Sequence, residues 1–390
     1  MDMRETKESA QFREEVRGWV KANFPKAKAD SFNYVGLGDR AGQDDWFKRL
    51  AQKGWLAYRW PKEFGGPGFS EPQQIVFVDE LLACGAQVPA GFGLNMVGPL
   101  ILQFGTPEQK RQHLPPIARH EIIWCQGYSE PNAGSDLASL QTRAVREGEH
   151  FIVNGQKTWT SRAQEAQWIF ALVRTDSSAQ QQRGISFLLI DMSTPGVSIR
   201  PIRQIDGQAE FFETFFDNVR VPVTNMVGKM NEGWTMAKAL LGHERANTNA
   251  NMDMPRLFGR IKRLASQYER DGQPLMKDRD FRNQLAQLEM DADCLRYTRY
   301  RMLSAMMQGK APGPESSILK LFQTDLVQDV YELAMNVLGP DSMAWYDKSL
   351  SAEAFDIPMY DAIFRAVSIY AGSNEIQRNI ISKRVLGLPG

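Results

Sequence analysis

Apolar residues recur at helical spacing toward both ends of the chain and in short strand-like runs in its middle. Phe12, Val16, Val20 and Phe24 step by four and predict one face of an amphipathic helix. Trp46, Leu50 and Ala51 begin a second helix. Leu81 and Leu82 lie in another, beyond the loop Trp60-Pro61-Lys62-Glu63-Phe64-Gly65-Gly66-Pro67-Gly68, where proline and glycine end the helical pattern. Thr106-Pro107-Glu108-Gln109 predicts a helix start, with a capping hydroxyl, a proline in the first turn and an acidic residue near the positive end. From about 122 to 228 the period changes. Residues 144–153 read as two strands around a polar glycine turn, and 168–173, 184–190, 197–200 and 215–222 add further strands. Clustered short strands suggest a small β-barrel or sandwich. After Gly233 the helical period returns, in Leu257, Ile261, Leu264 and Tyr268 and again in Leu326, Val330, Leu333 and Val337. These predict long antiparallel helices in a bundle. The expected fold is α+β and multidomain: an N-terminal helical domain (1–121), a middle β-barrel domain (122–229) and a C-terminal four-helix bundle (230–390).

Composition changes this picture little. The 390 residues suffice for two or three domains with a sizeable core. Lys plus Arg and Asp plus Glu number 46 each, so no charge excess points to nucleic acid or a membrane surface. No apolar run approaches the roughly 18–20 residues of a membrane helix. Cys84, Cys125 and Cys294 are far apart and His113, His120, His150 and His243 show no ligand spacing. That argues against a metal site or a disulfide framework and for a reducing compartment, the cytoplasm.

Individual motifs are ambiguous. Ser129-Glu130-Pro131-Asn132-Ala133-Gly134-Ser135-Asp136 is a polar turn whose hydroxyls and N–H groups suit an anion or a flavin edge, and equally an ordinary capped loop. In Lys157-Thr158-Trp159-Thr160-Ser161 the tryptophan could stack on a ring cofactor or simply close a barrel end. Glu244 beside Arg245 reads locally as a helix-surface charge, and Glu375 with Arg378 as an exposed i, i+3 pair. No Gly-x-Gly-x-x-Gly follows a strand and opens a helix, so a Rossmann site is unsupported.

Taken together, six segments resemble the acyl-CoA dehydrogenase family across almost the whole chain. They are residues 60–66, Phe104-Gly105-Thr106-Pro107-Glu108-Gln109-Lys110, residues 129–136, Asn154-Gly155-Gln156-Lys157-Thr158-Trp159, Phe216-Asp217-Asn218-Val219-Arg220-Val221-Pro222 and Glu375-Ile376-Gln377-Arg378. The resemblance implies bound FAD and α,β-dehydrogenation of an acyl-CoA thioester, with electrons passed to an electron-transfer flavoprotein. It places Tyr128, Ser129, Gly134, Ser135, Trp159, Ser161, Arg270, Ser373, Asn374 and Glu375 at the cofactor. Ser135, Gly242, Arg245, Ala371 and Gly372 fall on the substrate side.

Most relatives carry the catalytic carboxylate where this chain has Ala371. A minority carry it on an earlier helix next to an Arg, and Glu244-Arg245 matches that pattern. The resemblance therefore implies Glu244 as the base, with the backbone N–H of residue 371 still available to the enolate oxygen. An alanine there also widens the pocket, which points to a branched, cyclic or otherwise bulky acyl group. Homotetrameric relatives grip a neighbour's FAD with Arg-x-x-Phe-Gly and Gln-x-x-Gly-Gly. Here the stretches read Arg270-Asp271-Gly272-Gln273-Pro274 and Asn336-Val337-Leu338-Gly339-Pro340, so only Arg270 and Gly339 remain. The assembly is thus expected to be either a homo-oligomer or a pairing with a homologous subunit. Alternatives within the fold are a flavin oxidase or monooxygenase and a non-catalytic subunit.

Overall fold

The computed structural model describes residues 6–24, 40–248, 254–307, 313–345, 347 and 349–389, the side chains of 40, 41, 241–248, 303 and 305–307 excepted. Helices α1 (Lys7–Asn23), α2 (Arg40–Gln52), α3 (Glu71–Ala83), α4 (Gly98–Phe104) and α5 (Pro107–Ala118) come first. Strands β1 (Trp124–Gly127), β2 (Arg143–Glu147), β3 (His150–Ser161), β4 (Trp168–Arg174), β5 (Ile185–Asp191), β6 (Val197–Ile202), β7 (Phe211–Pro222) and β8 (Met226–Val227) follow. Then come α6 (Gly233–Thr248), α7 (Met254–Gln267), the hairpin β9 (Glu269–Arg270) and β10 (Gln273–Pro274), α8 (Arg279–Met307), α9 (Ser316–Leu338), α10 (Ile357–Phe364) and α11 (Asn374–Ile380). The order is the expected one.

Helix ends follow local chemistry. Thr106 caps α5 by accepting from Gln109 N at 3.2 Å, while Gln109 Oε1 accepts from Thr106 N at 3.1 Å. In α1, Phe12, Val16 and Val20 are buried, but Phe24 lies past the helix end with extended backbone, φ −91° and ψ 128°. It precedes Pro25, whose ring disfavours α backbone at the residue before it, so the four-step run overshoots the helix by one residue.

The chain packs as two compact units. One comprises 39–77 and 88–244; the other comprises the described parts of 1–38, 78–87 and 245–390. In the first, the strands form one sheet ordered β6-β7-β3-β2-β4-β5-β8, with β1 parallel to β4. Among the described residues its edge strands β6 and β8 do not pair, so the sheet does not close into the expected barrel. Phe151, Val153, Ile169, Ala171, Val173, Leu188, Ile190, Phe216 and Val219 fill its core.

In the second unit, Leu257, Ile261 and Leu264 of α7 pack with Leu326, Val330, Leu333 and Val337 of α9. The rings of Tyr331, Tyr360 and Phe364 meet at centroid distances of 4.9–6.1 Å, joining α9 to α10. Glu80, buried, accepts from Arg13 at 2.5 Å and Arg17 at 2.8 Å, which compensates its charge. Among the described residues no helix is long and apolar enough to cross a membrane.

Candidate active site

Two features of the sheet unit present the predicted cofactor residues. The first is a bulge in β3. Its register with β7 shifts between Lys157, opposite Thr214, and Thr160, opposite Phe212. Unbroken alternation would put Trp159 on the same inward face as Lys157. With one extra residue inserted, Lys157 and Thr160 both face inward and are buried, and Trp159 is turned out, 58% exposed. Trp159 also has φ +58°, a left-handed conformation costly for a residue with a Cβ. Among the described residues one ring contact steadies it, edge-on to Phe211 at 5.9 Å.

The second feature is the loop 129–136. Glu130 and Ala133 bond each other's backbone reciprocally at 3.0 Å, and both are buried. The Glu130 carboxylate accepts from Lys157 Nζ at 2.8 Å, Gln141 N at 2.6 Å and Thr142 N at 2.8 Å. Lys157 is wholly buried and also donates to Tyr128 O at 3.1 Å, while Thr158 N donates to Ser129 O at 2.9 Å. The buried ion pair thus ties the loop to the bulged strand. Burial pushes the Lys157 ammonium down to about 8 against the pull of Glu130, so the ammonium persists at neutral pH. Burial works to raise the Glu130 carboxyl, yet Lys157 and the N–H donors hold it below its ordinary value.

Anchored this way, the loop exposes Gly134 and Ser135 and leaves Ser129 half-buried, with Ser161 half-buried at the end of β3. Among the described residues the hydroxyls of Ser129, Ser135 and Ser161 make no hydrogen bond to the chain, and a Cβ built on Gly134 would meet nothing within 4 Å. The Tyr128 ring is buried, edge-on to Phe170 at 5.9 Å and Phe187 at 6.5 Å.

In the bundle unit the segment 371–375 forms a turn into α11. Ala371 has φ +54° and Gly372 φ +84°. Ser373 caps the helix, accepting from Ile376 N at 3.4 Å. The Asn374 side chain is spent inside the protein, accepting from Lys320 and Thr324 at 3.0 Å each and donating to Asp325 at 2.8 Å. What Asn374 has left to offer a ligand is therefore its backbone. Glu375 is exposed, 3.8 Å from Arg378. Its own backbone N–H and the Ser373 side chain hold its carboxyl low, the opposite of what a general base needs.

Arg270, in the β9–β10 hairpin, is exposed and 4.0 Å from Asp278. With Asn336, Asp280, Gln284, Phe281 and Leu333 it lines a cavity of about 150 Å³. The two stretches that depart from the homotetramer pattern therefore meet in one cleft. The side chains of Glu244 and Arg245 lie outside the described residues; the backbone of 242–245, with Gly242 expected on the substrate side, is helical, within α6.

Sequence reasoning missed the Glu130–Lys157 pair. A signal for it existed: Lys157 continues the inward alternation of Phe151 and Val153, where a lone charge would need a partner.

Comparison with known proteins identifies this architecture. Models of the acyl-CoA dehydrogenase N-terminal, middle and C-terminal domains match residues 6–121, 125–219 and 231–386. Helical, sheet and bundle parts are thus those of a flavoprotein oxidoreductase. The chain belongs to the acyl-CoA dehydrogenase family. It is 39% identical over 394 residues to the acyl-CoA dehydrogenase IpdE1 of Mycobacterium tuberculosis (strain ATCC 25618 / H37Rv), covering 97% of each chain. Acyl-CoA dehydrogenase FadE26 of the same organism is 37% identical over 87% of this chain and 86% of its own. Among solved structures, the ChsE4-ChsE5 complex from Mycobacterium tuberculosis matches with TM-score 0.85 at 32% identity, over 100% of both chains. The Tcur3481-Tcur3483 steroid ACAD matches with TM-score 0.85 at 31% identity, also over 100% of both. The outward Trp159, the unbonded serine hydroxyls and the open space at Gly134 fit a flavin.

Proposed function

We propose that the protein oxidises a branched, cyclic or otherwise bulky acyl-CoA to the trans-2-enoyl-CoA, with Glu244 as the base. The carrying observation is the turn at Ala371. It has no carboxylate, its backbone is held left-handed, and among the described residues its N–H donates to no other group. An α-proton next to a thioester is a weak acid, so its removal needs a donor placed in advance for the enolate oxygen. The Ala371 N–H can supply that donor without a side chain. The proton itself then requires a carboxylate elsewhere, and the resemblance gives that role to Glu244, whose backbone lies in α6.

FAD, when bound, supplies the hydride acceptor for the β-hydrogen. Ser129, Gly134, Ser135, Trp159 and Ser161 would hold it from the sheet unit, the hydroxyls by hydrogen bonds and the indole by ring contact. Ser373, Glu375 and the backbone of Asn374 are further candidates. The likeness to a protein described as a steroid ACAD supports a ring-bearing acyl group. The test is anaerobic bleaching of the bound flavin against straight, branched, aromatic and steroid CoA thioesters. Glu244→Gln is expected to keep its flavin and lose bleaching; full bleaching by that variant refutes the assignment. Rapid reoxidation of the reduced flavin by O2 would replace an electron-transfer flavoprotein as acceptor and make the protein an oxidase.

A second, compatible reading is assembly with a homologous subunit. The cavity at Arg270 favours it, because Asp280 lines it and Asp278 is paired with Arg270, a poor setting for a neighbour's phosphate. Flavin near half occupancy when the chain is expressed alone, restored by a co-expressed homologue, is the expected result. Full occupancy in a stable homo-oligomer counts against it.

A further inference from the structure

We infer that Gln377 is a positioning residue, holding the Ala371–Gly372 turn in the left-handed conformation that presents the Ala371 N–H. The inference rests on the reading above, in which that N–H meets the thioester oxygen. Gln377 lies in α11 with its side chain fully buried. Its Nε2 donates to two successive carbonyls, Ala371 O at 3.2 Å and Gly372 O at 3.0 Å. Glycine takes positive φ freely, but alanine at +54° is strained and relaxes unless something holds it. A primary amide is suited to the task, since it carries two N–H donors, one for each carbonyl.

The surroundings are built for this grip. Gln377 N donates to Ser373 O at 2.9 Å, fixing the first turn of α11 from which the amide reaches back. A Cβ on Gly372 would stand 2.6 Å from Gln377 Nε2, so the missing side chain there is what lets the amide approach. Peptide planarity does the rest. With the carbonyls of 371 and 372 turned toward Gln377, the N–H groups of Gly372 and Ser373 point the other way. Among the described residues, the N–H groups of Ala371, Gly372 and Ser373 donate no hydrogen bond. Three successive free donors at one strained turn form a cradle for developing negative charge.

The test compares wild type, Ala371→Gly, Gln377→Met and the double variant. Methionine keeps the length and volume and removes both donors. Flavin content, thermal midpoint, kcat and KM are measured with the thioester that wild type turns over best. Gln377→Met is expected to keep its flavin and lose kcat on the order of 10²-fold, with a much smaller change in KM. Adding Ala371→Gly is expected to restore about tenfold, because glycine takes positive φ without the amide. A packing role alone would give no such rescue. In thermal midpoints, Ala371→Gly should gain more in wild type, where Gln377 enforces the strain, than beside Gln377→Met. Normal kcat in Gln377→Met, or an unrescued double variant with additive midpoints, overturns the inference. If wild type turns over no acyl-CoA, the proposed activity falls, and the non-additivity of the midpoints decides the role of Gln377 by itself. Should Gln377→Met fail to fold, Gln377→Glu serves instead. Its protonated acid still donates, so its kcat relative to wild type should fall as pH rises, and a flat ratio overturns the inference.

Discussion

Replacing Lys157 by methionine tests whether the buried ion pair holds the cofactor loop to the sheet. Lys157 is 0% exposed and Glu130 7%, with 2.8 Å between Nζ and Oε1. Methionine fills the same space but leaves the Glu130 carboxylate, among the described residues, with hydrogen bonds only from the N–H groups of Gln141 and Thr142, and the Tyr128 carbonyl without its Lys157 donor. Breaking a buried pair from one side costs about 3–5 kcal/mol, because the remaining charge is uncompensated. The loss should depend on pH in a definite direction. In wild type the Glu130 carboxyl is depressed, so its contribution is present above the ordinary carboxylate pKa and lost as pH falls through the folded value. Without Lys157, burial dominates and the folded pKa rises, so the variant is penalised at neutral pH and relieved on acidification. The gap between the two proteins therefore narrows from pH 7 toward pH 4. Urea unfolding across that range measures it, with bound flavin followed in parallel. Adding Glu130→Gln should recover part of the loss at pH 7. A Lys157→Met cost below about 1 kcal/mol, or a Glu130→Gln change that simply adds to it, would refute the reasoning.

Two further predictions follow from buried and strained residues. His113 packs edge-on to Trp124 at 5.2 Å and Trp168 at 4.7 Å, and burial lowers its pKa from 6.5 to about 4. The unfolded chain therefore binds the proton first. Stability is retained above pH 6.5 and lost as pH falls toward 4, by on the order of 3 kcal/mol, and His113→Phe should lack that component of the unfolding profile. Trp159→Asn replaces an exposed ring with a residue that tolerates positive φ, so stability should change by less than about 0.5 kcal/mol while bound flavin falls; undiminished flavin content would remove Trp159 from the cofactor site.

The order of helices and strands was legible because each element repeats its own apolar period. Val16 and Val20, Ile169 and Val173, and Val330 and Val337 are all buried where that period puts them. The family was legible from six ordered segments, since turn chemistry and motif spacing are local properties of the chain. The site's geometry was not. Period-two counting holds only while strand register is unbroken, and the bulge that turns Trp159 outward is a property of β3 against β7. Lys157 is an inward charge with no visible partner until Glu130, 27 residues earlier, is folded against it. Tyr128 and Asn374 sit in motif positions, yet neighbours distant in sequence take up the Tyr128 ring and the Asn374 amide. By itself the sequence determined which elements form and which family they build. Tertiary structure decided which motif residues face outward and which backbone stays strained, because both depend on partners that only the folded chain brings within hydrogen-bonding reach.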